Sequence, residues 1–291
     1  MRTVRIGGFS GGADSQALAI WMLNHFPKEE VMLMNTEAGR NECGATVEFT
    51  KWFSENIHPV IVVTPLIRDL AGVGTRDGGT GDRRREFNEE DEMTFADLAY
   101  IKGRFPARKS QFCTKLLKLA PQRRWIKENL IDPEPDITII RYTGVRRDES
   151  EARKNVAETE WDEWFDCELH RPLATWTKQQ VFDYIKQHGQ EPNPLYKMGF
   201  NRVGCAPCVN SGKEDIRNWN ARFPEMIQKV RDWEKEVGRT FFPPMVPGMV
   251  INWIDDVVAW SKTERGGKIP LANWVDDEVV GTCSSKYGLC E

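Results

Sequence analysis

With 291 residues, 40% hydrophobic and 29% charged, the chain has the make-up of a globular protein with room for a large core. A net charge of −4 excludes a surface that is a nucleic-acid footprint throughout, and no apolar run reaches transmembrane length. The chain opens without a signal-peptide pattern, so a reducing cytoplasmic setting is expected. There, seven cysteines serve as core residues or metal ligands rather than as a disulfide framework.

In chain order, residues 4–9 read as a strand and 14–25 as a helix. Residues 31–35 are a second strand, 45–56 an amphipathic helix, and 60–64 a third strand between Pro59 and Pro65. This alternation predicts an α/β fold, a doubly wound parallel sheet covered by helices on both faces, with ligands at the carboxyl ends of the strands. Residues 72–92 are rich in glycine and charge and read as a surface loop, either a lid or plain disorder. A helix is expected over 115–129, kinked or split at Pro121, then a strand over 136–142 and a helix over 178–188. Residues 215–237 read as one helix or two, broken at Pro224, and 250–260 as a last helix. From Lys102 to Lys127 nine basic residues run without one acidic residue among them, which raises the prospect of an anionic ligand.

Chemistry concentrates in five segments. Ser10-Gly11-Gly12-Ala13-Asp14-Ser15 joins the first strand to the first helix, where turn amides and a helix N-terminus can cradle an anion. The plain alternative is a helix N-cap by Asp14 or Ser15. Thr143-Gly144-Val145-Arg146-Arg147-Asp148-Glu149-Ser150-Glu151-Ala152-Arg153 brings arginines, suited to bidentate phosphate binding, to the same sheet edge. Arg171-Pro172-Leu173-Ala174-Thr175-Trp176-Thr177, Asn193-Pro194-Leu195-Tyr196 and Gly199–Cys208 follow. Within the last, Cys205-Ala206-Pro207-Cys208 is a C-x-x-C, which needs further thiolates to complete a four-ligand site.

SGGADS resembles the PP-loop of ATP pyrophosphatases. In this order and spacing, the five segments resemble the phosphoadenosine phosphosulfate (PAPS) reductase family over residues 4–215. The resemblance implies ATP as ligand, with pyrophosphate and Mg2+ held by Ser10, Gly11, Gly12, Asp14 and Ser15. It further implies Gly144, Arg146 and Arg153 at the phosphate or acceptor, and Asn35-Thr36-Glu37, Thr36 above all, at the adenosine. Asp14, Ser15 and Arg146 are the expected catalytic set.

Two chemistries share this family. PAPS and adenylylsulfate reductases have a degenerate loop and a nucleophilic cysteine in a C-terminal E-C-G-L-H-like motif. Sulfurtransferases of DNA phosphorothioation and tRNA thiolation keep the full loop, cleave ATP to AMP and pyrophosphate, and let sulfur displace the AMP. Here the loop is complete, Tyr287 stands at the nucleophile's position and Cys290 at the histidine's. Both features favour the ATP-dependent sulfurtransferase. The alternatives are a sulfonucleotide reductase and a nucleotide-sensing subunit of a modification or defence complex.

The run around Cys113 is similar to the place where adenylylsulfate reductases carry cluster ligands. Cys113, Cys205, Cys208 and Cys290 are therefore the expected ligands of a [4Fe–4S] cluster, with Zn2+ as the alternative metal. Cys283 or an open iron could replace Cys290, and Lys109, Lys115 and Arg202 would offset the charge. Cys43 and Cys167 are expected in the core, and none of the four histidines shows metal or triad spacing. Residues 1–200 are expected to form the nucleotide domain and 201–291 a helical, cysteine-bearing C-terminal extension. The sulfur acceptor is left open between nucleic acid and protein, as is assembly as a homodimer or in a partner complex.

Overall fold

The computed structural model describes residues 2–71, 86–108 and 110–263. Six strands form one sheet in the order β3-β2-β1-β4-β6-β5. They are β1 (Thr3–Gly8), β2 (Val31–Thr36), β3 (Val60–Val63), β4 (Thr138–Tyr142), β5 (Thr159–Asp162) and β6 (Cys167–His170). All neighbours pair parallel except β5, which runs antiparallel to β6. The central strands read as near-continuous apolar runs because both faces are covered. The chain moves outward through β2 and β3 on one side of β1, and through β4 and β6 on the other. The order therefore reverses between β1 and β4, and the crevice at such a reversal is where open α/β sheets bind ligands.

On one face lie α1 (Ala13–His25), α2 (Gly44–Asn56) and α5 (Lys178–Gln187). Phe9, Leu18, Met22, Phe53, Val181 and Ile185 form the core between them and the sheet. On the other face a continuous helical run packs Leu119, Ile126 and Leu130 against Val4, Ile6 and Met34. That run is a wide π turn over Thr114–Leu119, α4 (Ala120–Ile126) and a second π turn over Lys127–Ile131. Pro121 does not split it. It sits in the first turn of α4, just after the π turn, and the run continues through it.

A further core joins α3 (Phe95–Lys102) to α7 (Lys213–Arg222), α8 (Pro224–Val237) and α9 (Ile254–Ser261). Phe95, Phe105, Trp233 and Phe241 stack within it. α7 and α8 part at Phe223, before Pro224. The last helix starts at Ile254 rather than at residue 250. Asn252 ties residues 243–252 into a loop, accepting from the Met245 amide at 2.8 Å and donating to the Pro243 carbonyl at 3.3 Å. Asp256 then accepts from the Trp253 amide and caps the first turn.

Of the glycine-rich segment 72–92, residues 72–85 lie outside the described residues. Residues 86–92 are tied down, with the Ile67 and Arg68 amides bonded to the Asp91 and Glu89 carbonyls at 2.9 Å. Among the described residues no helix is long and apolar enough to cross a membrane.

Candidate functional site

The Ser10–Ser15 loop leaves the carboxyl end of β1 and enters α1 at the sheet's reversal. Gly11 holds φ +77°, and a Cβ there would sit 2.8 Å from Thr46 Cγ2, so both conformation and space demand glycine. Within the loop, Ser15 Oγ accepts from the Ser10 amide at 3.1 Å and donates to the Gly12 carbonyl at 2.9 Å. Asp14 follows at the second position of α1 and is buried.

Gly144, just past β4, touches the loop backbone to backbone. A Cβ on it would lie 2.7 Å from the Asp14 carbonyl oxygen. This contact sets the next residues against Asp14. Arg146 meets its carboxylate two-on-two, Nε to Oδ1 at 2.7 Å and Nη2 to Oδ2 at 3.1 Å, with both side chains buried. The third nitrogen, Nη1, reaches Asp148 at 3.2 Å. Arg153 is almost fully buried and pairs with Glu149, which also accepts from the Arg146 amide at 2.8 Å. Arg153 thus props the Arg146 turn from beneath.

Two residues of the N-P-L-Y segment complete the loop, a role that sequence reasoning missed. Asn193 Nδ2 donates to the Gly11 carbonyl at 3.2 Å and to Thr46 Oγ1 at 3.3 Å. Tyr196 Oη accepts from the Ala13 amide at 3.0 Å. The motif was visible in the sequence, but its partners lie 147 to 183 residues away.

Beside the loop a pocket of about 230 Å³ opens between β2, β3 and α2, lined among others by Asn35, Glu37, Glu42, Thr50 and Lys51. Thr36 does not line it. Its hydroxyl accepts from Gln122 Nε2 at 3.0 Å and donates to the Lys118 carbonyl at 3.3 Å, so its neighbours Asn35 and Glu37 face the space instead. Thr50 Oγ1 is buried there without a hydrogen-bond partner.

The second constellation gathers Cys113, Cys205 and Cys208. Cys205 is held by a bridge between residues 42 and 205 and by the Ala206 amide, which bonds to the Asn41 carbonyl at 3.0 Å. Cys113 immediately precedes the π turn. Burial, and then the neighbouring Cys205 and Cys208, push the Cys113 thiol up to about 12. Burial likewise raises Cys205, against the opposing pull of Lys118, which also hydrogen-bonds it. Burial alone would lower the Lys118 pKa, yet Cys205, Glu42, Cys113 and Cys208 together hold it above its ordinary value. Glu42, pushed up to about 7 by burial against the pull of Lys118, completes the group.

Lys118 is therefore the cation hydrogen-bonded among the thiols, and Lys229 also acts on Cys205 and Glu42. Lys115 is turned outward onto Trp164, and Lys109 lies outside the described residues. In the sequence the signal was a lysine set inside an apolar turn, Leu116-Leu117-Lys118-Leu119.

Three thiols beside a buried cation have the donor chemistry that a thiolate-bound metal or iron–sulfur centre needs. Among the described residues, however, no group of three or more His, Cys, Asp or Glu side chains is arranged to hold a metal ion. Cys290 and Cys283 lie outside the described residues, as do all residues after 263. Cys43 and Cys167 are buried in apolar cores.

A family model described as the phosphoadenosine phosphosulfate reductase domain matches residues 6–211. The chain is 32% identical to an uncharacterized 37.8 kDa protein of Escherichia phage 186, aligned over 99% of this chain and 97% of that protein. It is 46% identical to an adenosine 5'-phosphosulfate reductase of Streptomyces coelicolor, over 23% of this chain and 28% of that enzyme. The match to that reductase thus spans less than a third of its length. The phosphate complex of a PAPS reductase from Candida auris is 16% identical, with a TM-score of 0.44, covering 70% of this chain and 82% of that one.

Proposed function

This chain belongs to the phosphoadenosine phosphosulfate reductase family, and on that premise we propose that it is an ATP-dependent adenylating sulfurtransferase. The observation that carries the reading is the complete loop with Asp14 held two-on-two by Arg146 at the sheet's reversal. In this reading an acceptor oxygen attacks the α-phosphorus of ATP and the α–β bond breaks. Pyrophosphate leaves on the amides of Ser10–Ser15 at the α1 N-terminus, whose partial positive charge suits it. AMP remains on the acceptor oxygen until a sulfur nucleophile displaces it.

Asp14 would hold the Mg2+ that accompanies the triphosphate. Each of its oxygens accepts one bond from Arg146 and keeps lone pairs to offer. Ser15 shapes the loop, Arg146 fixes Asp14, and Arg153 fixes Arg146 through Glu149. Asn35 and Glu37 place the pocket beside the loop where the nucleoside would lie.

Cys113, Cys205 and Cys208, with Cys290 or Cys283, would hold a [4Fe–4S] cluster, or Zn2+ in its place. A bound cluster would supply an iron site able to carry sulfur. Lys118 offsets the thiolate charge, and Glu42 is its neutralising neighbour. Residues 1–200 would form the nucleotide domain, with the remainder as the cysteine-bearing extension.

A reductase reading draws on the Streptomyces relative, which is described as an adenosine 5'-phosphosulfate reductase. One experiment separates the two. Purified protein is given ATP and assayed for pyrophosphate, then given activated sulfate with thioredoxin and assayed for sulfite. Pyrophosphate without sulfite is expected. Sulfite without pyrophosphate would replace this reading with the reductase, and ATP binding with neither product would replace it with the nucleotide-sensing subunit.

A further inference from the structure

The basic run from Lys102 to Lys127 takes different directions in the fold. Lys118 turns inward to the thiols. Arg124 is spent on internal partners, the Asp69 carboxylate at 2.7 Å, the Thr64 carbonyl at 2.9 Å and Glu128 at 3.4 Å. Lys115, Arg123 and Lys127 face outward and are exposed. Lys115 Nζ lies 4.1 Å and Arg123 Cζ 4.9 Å from the ring centre of Trp164. Among the described residues none of the three has an ion-pair partner.

We infer that Lys115 and Arg123, held on Trp164, together with Lys127 four residues after Arg123 on the helical run, form a docking surface for the phosphate backbone of a nucleic-acid strand. A carboxylate would fix these side chains by neutralising them. An indole fixes Lys115 and Arg123 while leaving their charge, and the donors of the guanidinium, for an outside anion. The nearby acids do not cancel the patch. Glu128 is engaged by Arg124 and Arg68, and Glu163 and Asp166, which flank Trp164, ion-pair with none of the three cations.

Composition separates nucleic acid from an acidic protein. A protein interface has an apolar centre, whereas nucleic-acid interfaces are polar and positive. From Lys115 to Lys127 no large hydrophobic residue is exposed. Against the chain's overall negative charge, these three cations make a locally positive surface.

The surface also adjoins the chemistry. Lys115 is two residues from Cys113 and three from Lys118 along one helical run, so its outer side binds the strand while its inner side meets the thiols. The assignment deepens the sulfurtransferase reading by naming a nucleic acid as the acceptor, and it rests on that reading for its purpose but not for the binding.

The test is fluorescence anisotropy of labelled single-stranded DNA and RNA 20-mers, with the full chain, across 50–200 mM NaCl. Three phosphate contacts predict a slope of log affinity against log salt of about −2. Lys115→Ala with Arg123→Ala should weaken binding about tenfold and flatten the slope by about 1.4, with the thermal midpoint retained. Trp164→Phe should weaken it less, and Arg231→Ala, remote and paired with Asp255, should leave it unchanged. A double variant that binds like the parent would overturn the assignment. So would poly-glutamate that displaces the oligonucleotide at equal charge concentration, which would mark an acidic protein as the partner. Pyrophosphate release is measured separately, so its failure would sink the sulfurtransferase reading and leave the oligonucleotide result standing.

Discussion

The loop site and the thiol site lie on either side of β2 and solve opposite problems. At the loop, groups that fix its shape have partners from the chain: Asp14 has Arg146, the Ala13 amide has Tyr196, and the Gly11 carbonyl has Asn193. At the thiols the chain has packed polar groups together and left them costly. Two half-buried cysteines stay protonated, a buried lysine offsets them, and Glu42 is pushed up to about 7. The first site is preorganised. The second leaves polar groups half-buried beside one another.

The sharpest way to break this contrast is at Asp14. Asp14→Asn should lower pyrophosphate release on the order of 100-fold, by analogy with removing one preorganised charged group from an active site. It should also cost about 3 kcal/mol in urea unfolding, because Arg146 loses its buried counter-charge. A variant with full stability would show that Asp148 alone satisfies Arg146, and that the loop is less tightly built than its geometry indicates.

At the thiols the next effect depends on pH. The folded Cys113 thiol is raised from 9.0 to about 12 and Lys118 is also raised, so the folded protein holds these protons more tightly than the unfolded chain. That stability is fully present below about pH 9 and is lost as pH rises through the folded values. The metal-free protein should therefore lose thermal stability between pH 8.5 and 11, and Lys118→Met should deepen the loss, because Lys118 holds the Cys113 and Cys205 thiols lower than burial alone would. A metal-loaded sample should resist the same rise, since its thiols have already given up their protons. Equal alkaline sensitivity with and without metal would count against the thiols as ligands.

The smallest effect belongs to the clamp. Tyr196→Phe removes one hydrogen bond, about 1 kcal/mol, and should raise the KM for ATP about fivefold with kcat little changed. A change confined to kcat would mean that the hydroxyl acts in the chemistry rather than on the loop.

The loop, its strand and its helix were legible because glycine placement and apolar period are local signals. The parallel sheet followed from the same alternation. The β5–β6 hairpin was not legible. Thr159-Glu160-Trp161-Asp162 and Cys167-Glu168-Leu169-His170 are short and mixed, and they are strands because β4 and the buried Arg141–Asp162 pair, at 3.1 Å, recruit them. The C-x-x-C was legible by spacing. Lys118 was not singled out, because a lysine inside a basic run reads as surface until packing shows which way it points. Asn193 and Tyr196 stand in a visible motif, yet what they touch depends on the tertiary fold.

That last dependence has a consequence in time. Ala13 and Tyr196 are 183 residues apart, and Asn193 and Gly11 nearly as far. At about 5–20 residues per second, roughly 10–40 s of synthesis separate the loop from the residues that fasten it. During that interval a nascent chain carries the Ser10–Ser15 sequence without its final shape. A ribosome stalled before residue 193 would release a chain that contains the whole loop and cannot hold it closed.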